Sequence, residues 1–217
     1  MNELEEFFYN KPHRICQKWA HYFTIYDRYL RKFKSNEQFK MLEIGVSQGG
    51  SLDMWRHYFG PHALIVGIDI SPHCTDFATE HTKIRIGSQS DRGFLATIIE
   101  EFGMFDFILD DGGHTMEQQI TSFDMLYPQV AIGGRYIVED CHTSYHEQFG
   151  GGIRKPDSFM EFAKRKIDEL NGRHVQGYHA EFHTDFMRQT SSMAFYDSVV
   201  IFEKDQIPDI VSVQAGG

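Results

Sequence analysis

Five short apolar runs punctuate the first two thirds of the chain: FKMLEIG (39–45), ALIVGIDI (63–70), KIRIGS (83–88), FDFILDD (105–111) and GGRYIVED (133–140). Several are almost continuously hydrophobic, the pattern of parallel strands covered on both faces rather than of half-exposed hairpins. Between them lie segments of helical periodicity, from about Ser51 to Tyr58, over 91–102 with Asp91 near the N-cap, and from about Met116 to Leu126. SFMEFAKRKIDEL (158–170) reads as a further amphipathic helix, and SSMAFYDSVVIFEK (191–204) as a closing hairpin turned near Asp197. The expected architecture is α/β: a Rossmann-like, doubly wound sheet of about seven strands, mostly parallel with a C-terminal antiparallel hairpin, and helices on both faces.

With 217 residues the chain suffices for one such domain, in which 1–36 form a helical lead-in and 37–204 the core. In the lead-in, Trp19, Phe23, Tyr26, Leu30 and Phe33 recur at helical spacing and predict a core-packing helix from which Tyr22 or Tyr26 can reach a ligand. A formal net charge of −10 argues against nucleic acid or an anionic membrane as partner. Cys16, Cys74 and Cys141 are widely spaced and form no C-x-x-C pair, so neither a disulfide framework nor a thiolate zinc site is expected. No apolar run approaches the ~20 residues of a membrane span, and the acidic start MNELEEFF lacks the features of a leader, so a cytoplasmic location is expected.

Ligands of doubly wound sheets bind beyond the carboxyl ends of the strands. The first strand ends in LEIGVSQGGS, where Gly45, Gly49 and Gly50 precede a helix that Ser51 is placed to cap. Glycines there let the backbone turn and approach a ligand closely. Asp69, at the end of the second strand, stands about 20 positions on, where an acidic group accepts hydrogen bonds from ribose hydroxyls. An adenosine-containing ligand is indicated.

The glycine spacing is not the G-x-G-x-x-G of dinucleotide folds. Glu43, Gly45 and Gly49 give E-x-G-x-x-x-G, which resembles motif I of class I S-adenosylmethionine-dependent methyltransferases. That resemblance implies that Glu43, Gly45, Gly49, Ser51 and Asp69 form the cofactor site, with Ser88 and Gln89 near the adenine. In that strand order the fourth and fifth strands are neighbours, about 4.8 Å apart. Asp110 and Asp111 then face Glu139 and Asp140. Such a cluster of carboxylates would raise its members' pKa values unless a cation neutralised it. An all-oxygen set favours a hard divalent ion, Mg²⁺ or Mn²⁺, over zinc. Asp111, Glu139 and Asp140 are assigned to the metal, and Asp110 to the cofactor end of the pocket or the support of its loop. His114, three residues after Asp111, is the candidate general base for an acceptor hydroxyl.

The stretches LEIGVSQGGSLDMWRHYFG, FILDDGGHTMEQQITSF and GGRYIVEDCHTSY narrow the resemblance to the metal-dependent sugar O-methyltransferases of macrolide biosynthesis, over about Trp19 to Lys204. It implies Mg²⁺ on Asp111, Glu139 and Asp140, a small-molecule acceptor with adjacent hydroxyls, such as a sugar, and His114 as base. A homo-oligomer is compatible with it. Members of that family carry a sizeable extra N-terminal domain where this chain has a short helical lead-in. His142, Tyr145 and Phe149 are candidate acceptor contacts, under a lid formed by the glycine run Gly150 to Gly152. The competing readings are a catechol-type O-methyltransferase, a nicotinamide oxidoreductase and a non-catalytic cofactor-binding scaffold. The glycine spacing disfavours the oxidoreductase, and the intact carboxylate and histidine set disfavours the scaffold.

Overall fold

The computed structural model describes residues 1–10, 14–177, 179–208 and 211–216. The apolar runs pair into one sheet built from β1 (Lys40–Ile44), β2 (Leu64–Asp69), β3 (Thr82–Ile86), β4 (Phe105–Asp110), β5 (Val130–Val138), β6 (Thr190–Tyr196) and β7 (Val199–Lys204). Their order is β3-β2-β1-β4-β5-β7-β6, with β1 to β5 parallel and β7 antiparallel to both β5 and β6. The expected doubly wound sheet with its terminal hairpin is what the chain forms. The hairpin turns at Asp197 and Ser198, the latter in the left-handed region at φ 64°.

Alternation along the strands sends side chains to opposite faces, and each face has its own core. Met41, Ile65, Phe107, Leu109 and Ile137 point to one side, where α1 (Glu3–Asn10), α2 (Tyr22–Leu30) and α3 (Gly50–Phe59) cover them. Leu42, Val66, Ile108, Tyr136 and Val138 point to the other, beneath α4 (Arg92–Phe102), α5 (Met116–Leu126), α6 (Phe159–Leu170) and α7 (Asp185–Gln189). Among the described residues, no helix is long and apolar enough to cross a membrane.

The lead-in departs from its expected form at both ends. Trp19 lies outside α2 and is 47% exposed, while Phe23, Tyr26, Leu30 and Phe33 are buried as the periodicity requires. After Leu30 the helix tightens into a 3₁₀ turn at Arg31–Ser35. The acidic start forms α1, which buries Leu4 and Phe7 against the same core, with Phe7 stacked on His57 of α3 at 4.7 Å.

The chain moves outward through β1, β2 and β3 and then returns to place β4 on the other side of β1. This reversal opens a crevice at the carboxyl ends of β1 and β4, where Ile44 is in register with Asp110.

Candidate active site

Two adjoining cavities occupy that crevice, of about 450 and 190 Å³, and both are bordered by Gly45, Ser47, Asp111 and Gly112. The smaller lies against Asp69, Ile70, Gly87, Gln89, Gly113 and Gln118. The larger is lined by Ile15 to Trp19, Tyr22, Ser51, His114, Glu139 and Asp140.

Backbone strain concentrates here. Ser47, His114 and Asp140 have positive φ of 51°, 57° and 53°, and all three line the larger cavity. Left-handed backbone is costly for residues with a side chain and persists where surrounding contacts impose it. Gly45, at φ 91°, serves a tighter need: a Cβ there would lie 2.0 Å from the Asp111 carbonyl oxygen. The ends of β1 and β4 therefore approach as only a glycine permits.

Asp69 organises the first turn. One of its oxygens accepts the Val46 and Ser47 amides, each at 2.9 Å, and the other accepts Ser71 N–H at 2.8 Å. It borders the smaller cavity as expected. The exposed Ile70 and Gln118 stand beside it, neither of them singled out by sequence. Gln118 is held in place by the hydroxyl of Thr115 at 2.8 Å.

Several expected ligand contacts are instead structural. Glu43 is fully buried, with Trp55 Nε1 donating to one oxygen at 2.9 Å and Ser51 Oγ to the other at 3.0 Å. Burial pushes its pKa up to about 7. Ser51 does not cap α3; Gly49, at φ 75°, takes the N-cap position, while Ser51 in the first turn serves Glu43. Asp110 is likewise fully buried, accepting from Gln89 Nε2 at 2.9 Å and from Ser122, and burial raises its pKa to about 6. Neither carboxylate reaches the cavity surface, so both act on it only through their neighbours. Gln89 does border the cavity, and its Oε1 accepts Gly113 N–H at 2.8 Å. Ser88 bonds to Ser90 at 2.9 Å and lines neither cavity.

The carboxylates beyond β4 and β5 do converge. One ligand atom each from Asp111, His114 and Asp140 lie within 4.8 Å of one another. His114 Nε2 is 3.5 Å from Asp140 Oδ2 and 3.9 Å from Asp111 Oδ1, while its buried Nδ1 has no partner among the described residues. The two carboxylates offer oxygens to a hard divalent cation such as Mg²⁺ or Mn²⁺, with the imidazole at the edge of the same space.

Glu139 lines the larger cavity with its carboxylate already partnered. Its side chain is 1% exposed, and both of its oxygens are already engaged, one by Lys18 Nζ at 2.9 Å and the other by the Tyr26 hydroxyl. Lys18 also pairs with Asp111, so its ammonium bridges the two carboxylates. Burial alone would discharge this lysine, but Asp111 and then Glu139 outweigh it and hold its pKa well above the ordinary lysine value. Burial, followed by the charge of Asp111, pushes Glu139 upward, with Lys18 opposing. The cation that the carboxylate cluster demanded is thus present as a side chain. Tyr22 completes the shell by donating to Asp140 Oδ1 at 2.8 Å, so Tyr22 and Tyr26 of α2 both reach the site.

The candidate acceptor contacts separate. His142 does not line the cavity; its Nδ1 is 2.6 Å from Ser198 Oγ and its ring 5.3 Å from that of Trp19. Tyr145 is exposed and Phe149 packs on the second core, and neither lines the cavity. The glycine run after them is a pinned turn rather than a free lid: Gly151 N–H donates to His146 O and Gly152 N–H to Ser144 O. Trp19, half exposed and stacked on Tyr22 at 15°, supplies the aromatic wall instead.

No family model matches the chain. Among curated proteins it is 40% identical over 147 residues to a demethylmacrocin O-methyltransferase of Streptomyces fradiae, covering 63% of this chain and 36% of that protein. It is 37% identical over 170 residues to an L-olivosyl-oleandolide 3-O-methyltransferase of Streptomyces antibioticus, covering 71% and 43%. Both relatives are named as O-methyltransferases. The solved MycE methyltransferase of the mycinamycin pathway, in complex with Mg, SAH and mycinamycin VI, superposes with a TM-score of 0.81 at 30% identity, over 94% of this chain and 53% of that one. The chain is homologous to these O-methyltransferases over the shared part and has the Rossmann-like methyltransferase fold, and it spans only about half of the MycE chain and less of the curated relatives.

Proposed function

We propose that the chain is an O-methyltransferase that uses S-adenosylmethionine and Mg²⁺ to methylate a sugar hydroxyl of a glycosylated small molecule. The observation that carries this reading is the meeting of Asp111, His114 and Asp140 beside a glycine turn tied to Asp69. The relatives' names support a sugar acceptor, and the MycE structure that the chain resembles holds Mg and SAH.

In this reading the smaller cavity takes the adenosine, with Asp69 at the ribose and Ile70 and Gln118 at its edges. Gly45 keeps the turn low enough for the sulfonium end to reach the larger cavity. Asp111, Asp140 and Glu139 would hold the divalent ion, which would lower the cost of charge on an acceptor oxygen. His114 Nε2 faces the same space and takes the hydroxyl proton as the carbon–oxygen bond forms. Trp19, with His142 beside it, presents a flat surface to the sugar, and the cavity walls hold acceptor oxygen and methyl group together.

The test is calorimetric titration with S-adenosylmethionine, then Mg²⁺, then a panel of vicinal-diol glycosides, followed by turnover of His114→Ala. Cofactor binding, and acceptor binding that requires the metal, are expected, and the variant should lose about 10²-fold or more in turnover with cofactor affinity nearly unchanged. Near-normal turnover in the variant removes the base assignment; failure to bind the cofactor removes the function.

A further inference from the structure

Lys18 is held in an unusual position for a lysine on a stretch without regular structure. Its side chain is only 2% exposed, and its ammonium is wedged between Asp111 and Glu139. An amine buried this deeply needs compensating charge, and these two carboxylates supply it. They in turn need the amine, because Asp111, Glu139 and Asp140 would otherwise repel one another across the same cavity.

Glu139 is the decisive group. One oxygen faces the Lys18 ammonium and the other the Tyr26 hydroxyl. A divalent cation drawn to Glu139 competes with one of them for the same oxygen. Tyr26 lies in the middle of α2, fully buried, with its ring against Trp55 at 5.2 Å, and has nowhere to go. Lys18 is a like charge on a coil. It is the partner that can leave.

Resting on the metal-dependent reading above, we propose that Lys18 is an internal placeholder cation, which holds Asp111 and Glu139 together in the metal-free protein and is expelled when the divalent ion binds. The consequence reaches beyond the ion. Lys18 belongs to the segment from Arg14 to Trp19, fastened at its start by the Arg14–Asp53 ion pair and by close packing of the Arg14 and Ile15 carbonyls on Gly50. The middle of that segment forms one wall of the larger cavity. With its start fixed on α3, release of Lys18 moves the Cys16 to Trp19 wall, so metal loading reshapes the acceptor side of the site.

The experiment is amine-reactive footprinting of the wild-type protein, read by mass spectrometry with and without Mg²⁺, with calorimetry of the same samples using the metal alone. Exposed Lys155 serves as an internal reference. Lys18 should be protected without metal, and its labelling relative to Lys155 should rise about tenfold or more as the ion saturates. If calorimetry shows Mg²⁺ binding while Lys18 stays protected, the two cations reside together and the placeholder inference is wrong, with the metal site intact. If no Mg²⁺ binds, the metal-dependent reading fails as well. Lys18→Met, checked for folding by circular dichroism, gives a second readout. A Trp19 fluorescence change on Mg²⁺ addition should be present in the wild type and reduced at least threefold in the variant, and an equal change in both overturns the proposal.

Discussion

Glu43 shows how a carboxylate placed by a strand at a ligand site can be recruited for support instead. It lies one residue before the end of β1, buried behind the crevice, and it fixes both Ser51 and Trp55 of α3. Its folded pKa of about 7 stands above the ordinary 4.5, so between those values the folded carboxyl keeps a proton that the unfolded chain has released. Stability contributed by this group is therefore fully present below about pH 4.5 and declines as pH rises to about 7, then levels. Glu43→Gln keeps an acceptor for Trp55 and a donor for Ser51 without the charge. It should flatten that slope and raise the unfolding midpoint by a few degrees at pH 8 while leaving it nearly unchanged at pH 5, as read by thermal melts across pH. A midpoint that falls equally at both pH values would mean that the ionised carboxylate is required by its partners. The motif reading found Glu43 correctly as a position of consequence, but spacing alone cannot tell a side chain that points into the crevice from one that points into the helix behind it.

At the scale of elements, the turn between β1 and α3 and the start of α5 set the shape of the smaller cavity. Gly45→Ala would put a methyl group 2.0 Å from the Asp111 carbonyl at a left-handed backbone, and neither β1 nor β4 can retreat, because both are central strands. A loss of about 2 kcal/mol or more is expected, measured by urea unfolding; a loss below 0.5 kcal/mol would show that the turn can relax. Thr115 closes a reciprocal capping box with Gln118 at the start of α5. Thr115→Ala should cost about 1 kcal/mol and also weaken S-adenosylmethionine binding, since Gln118 loses the hydroxyl that holds it at the cavity edge; unchanged affinity would separate Gln118 from the cofactor. The strands and most helices were legible because apolar runs and caps such as Asp91 are local signals, and Asp91 does accept the Gly93 and Phe94 amides. Trp19 and α1 were not: helical spacing continued past the point where the chain bends, and α1 earns its place through contacts with α3 rather than through its own weak pattern.

For the whole molecule, the site is a product of topology. Asp111 and Glu139 could be paired from sequence because a doubly wound order makes β4 and β5 neighbours, whereas Lys18 reaches them across 93 and 121 positions of chain with no repeat or motif to announce it. The same topology ties ion binding to global stability, since the ligands hang from separate strands and exist as a cluster only in the folded chain. An ion bound to the folded state alone stabilises it by RT ln(1 + [L]/Kd), about 2.7 kcal/mol at a hundredfold excess over Kd. For a domain of 217 residues that corresponds to a rise in melting temperature of roughly 5–10 °C. Because the chain carries a net charge of −10, any salt relieves some self-repulsion, so the comparison must be made at constant ionic strength. Mg²⁺ should raise the melting temperature by that amount where sodium chloride does not, chelation should reverse it, and the double variant Asp111→Asn, Asp140→Asn should show no specific rise. An equal rise with sodium chloride, or one that survives in the double variant, would mean that the ion acts on the surface charge and not at the carboxylates beyond β4 and β5.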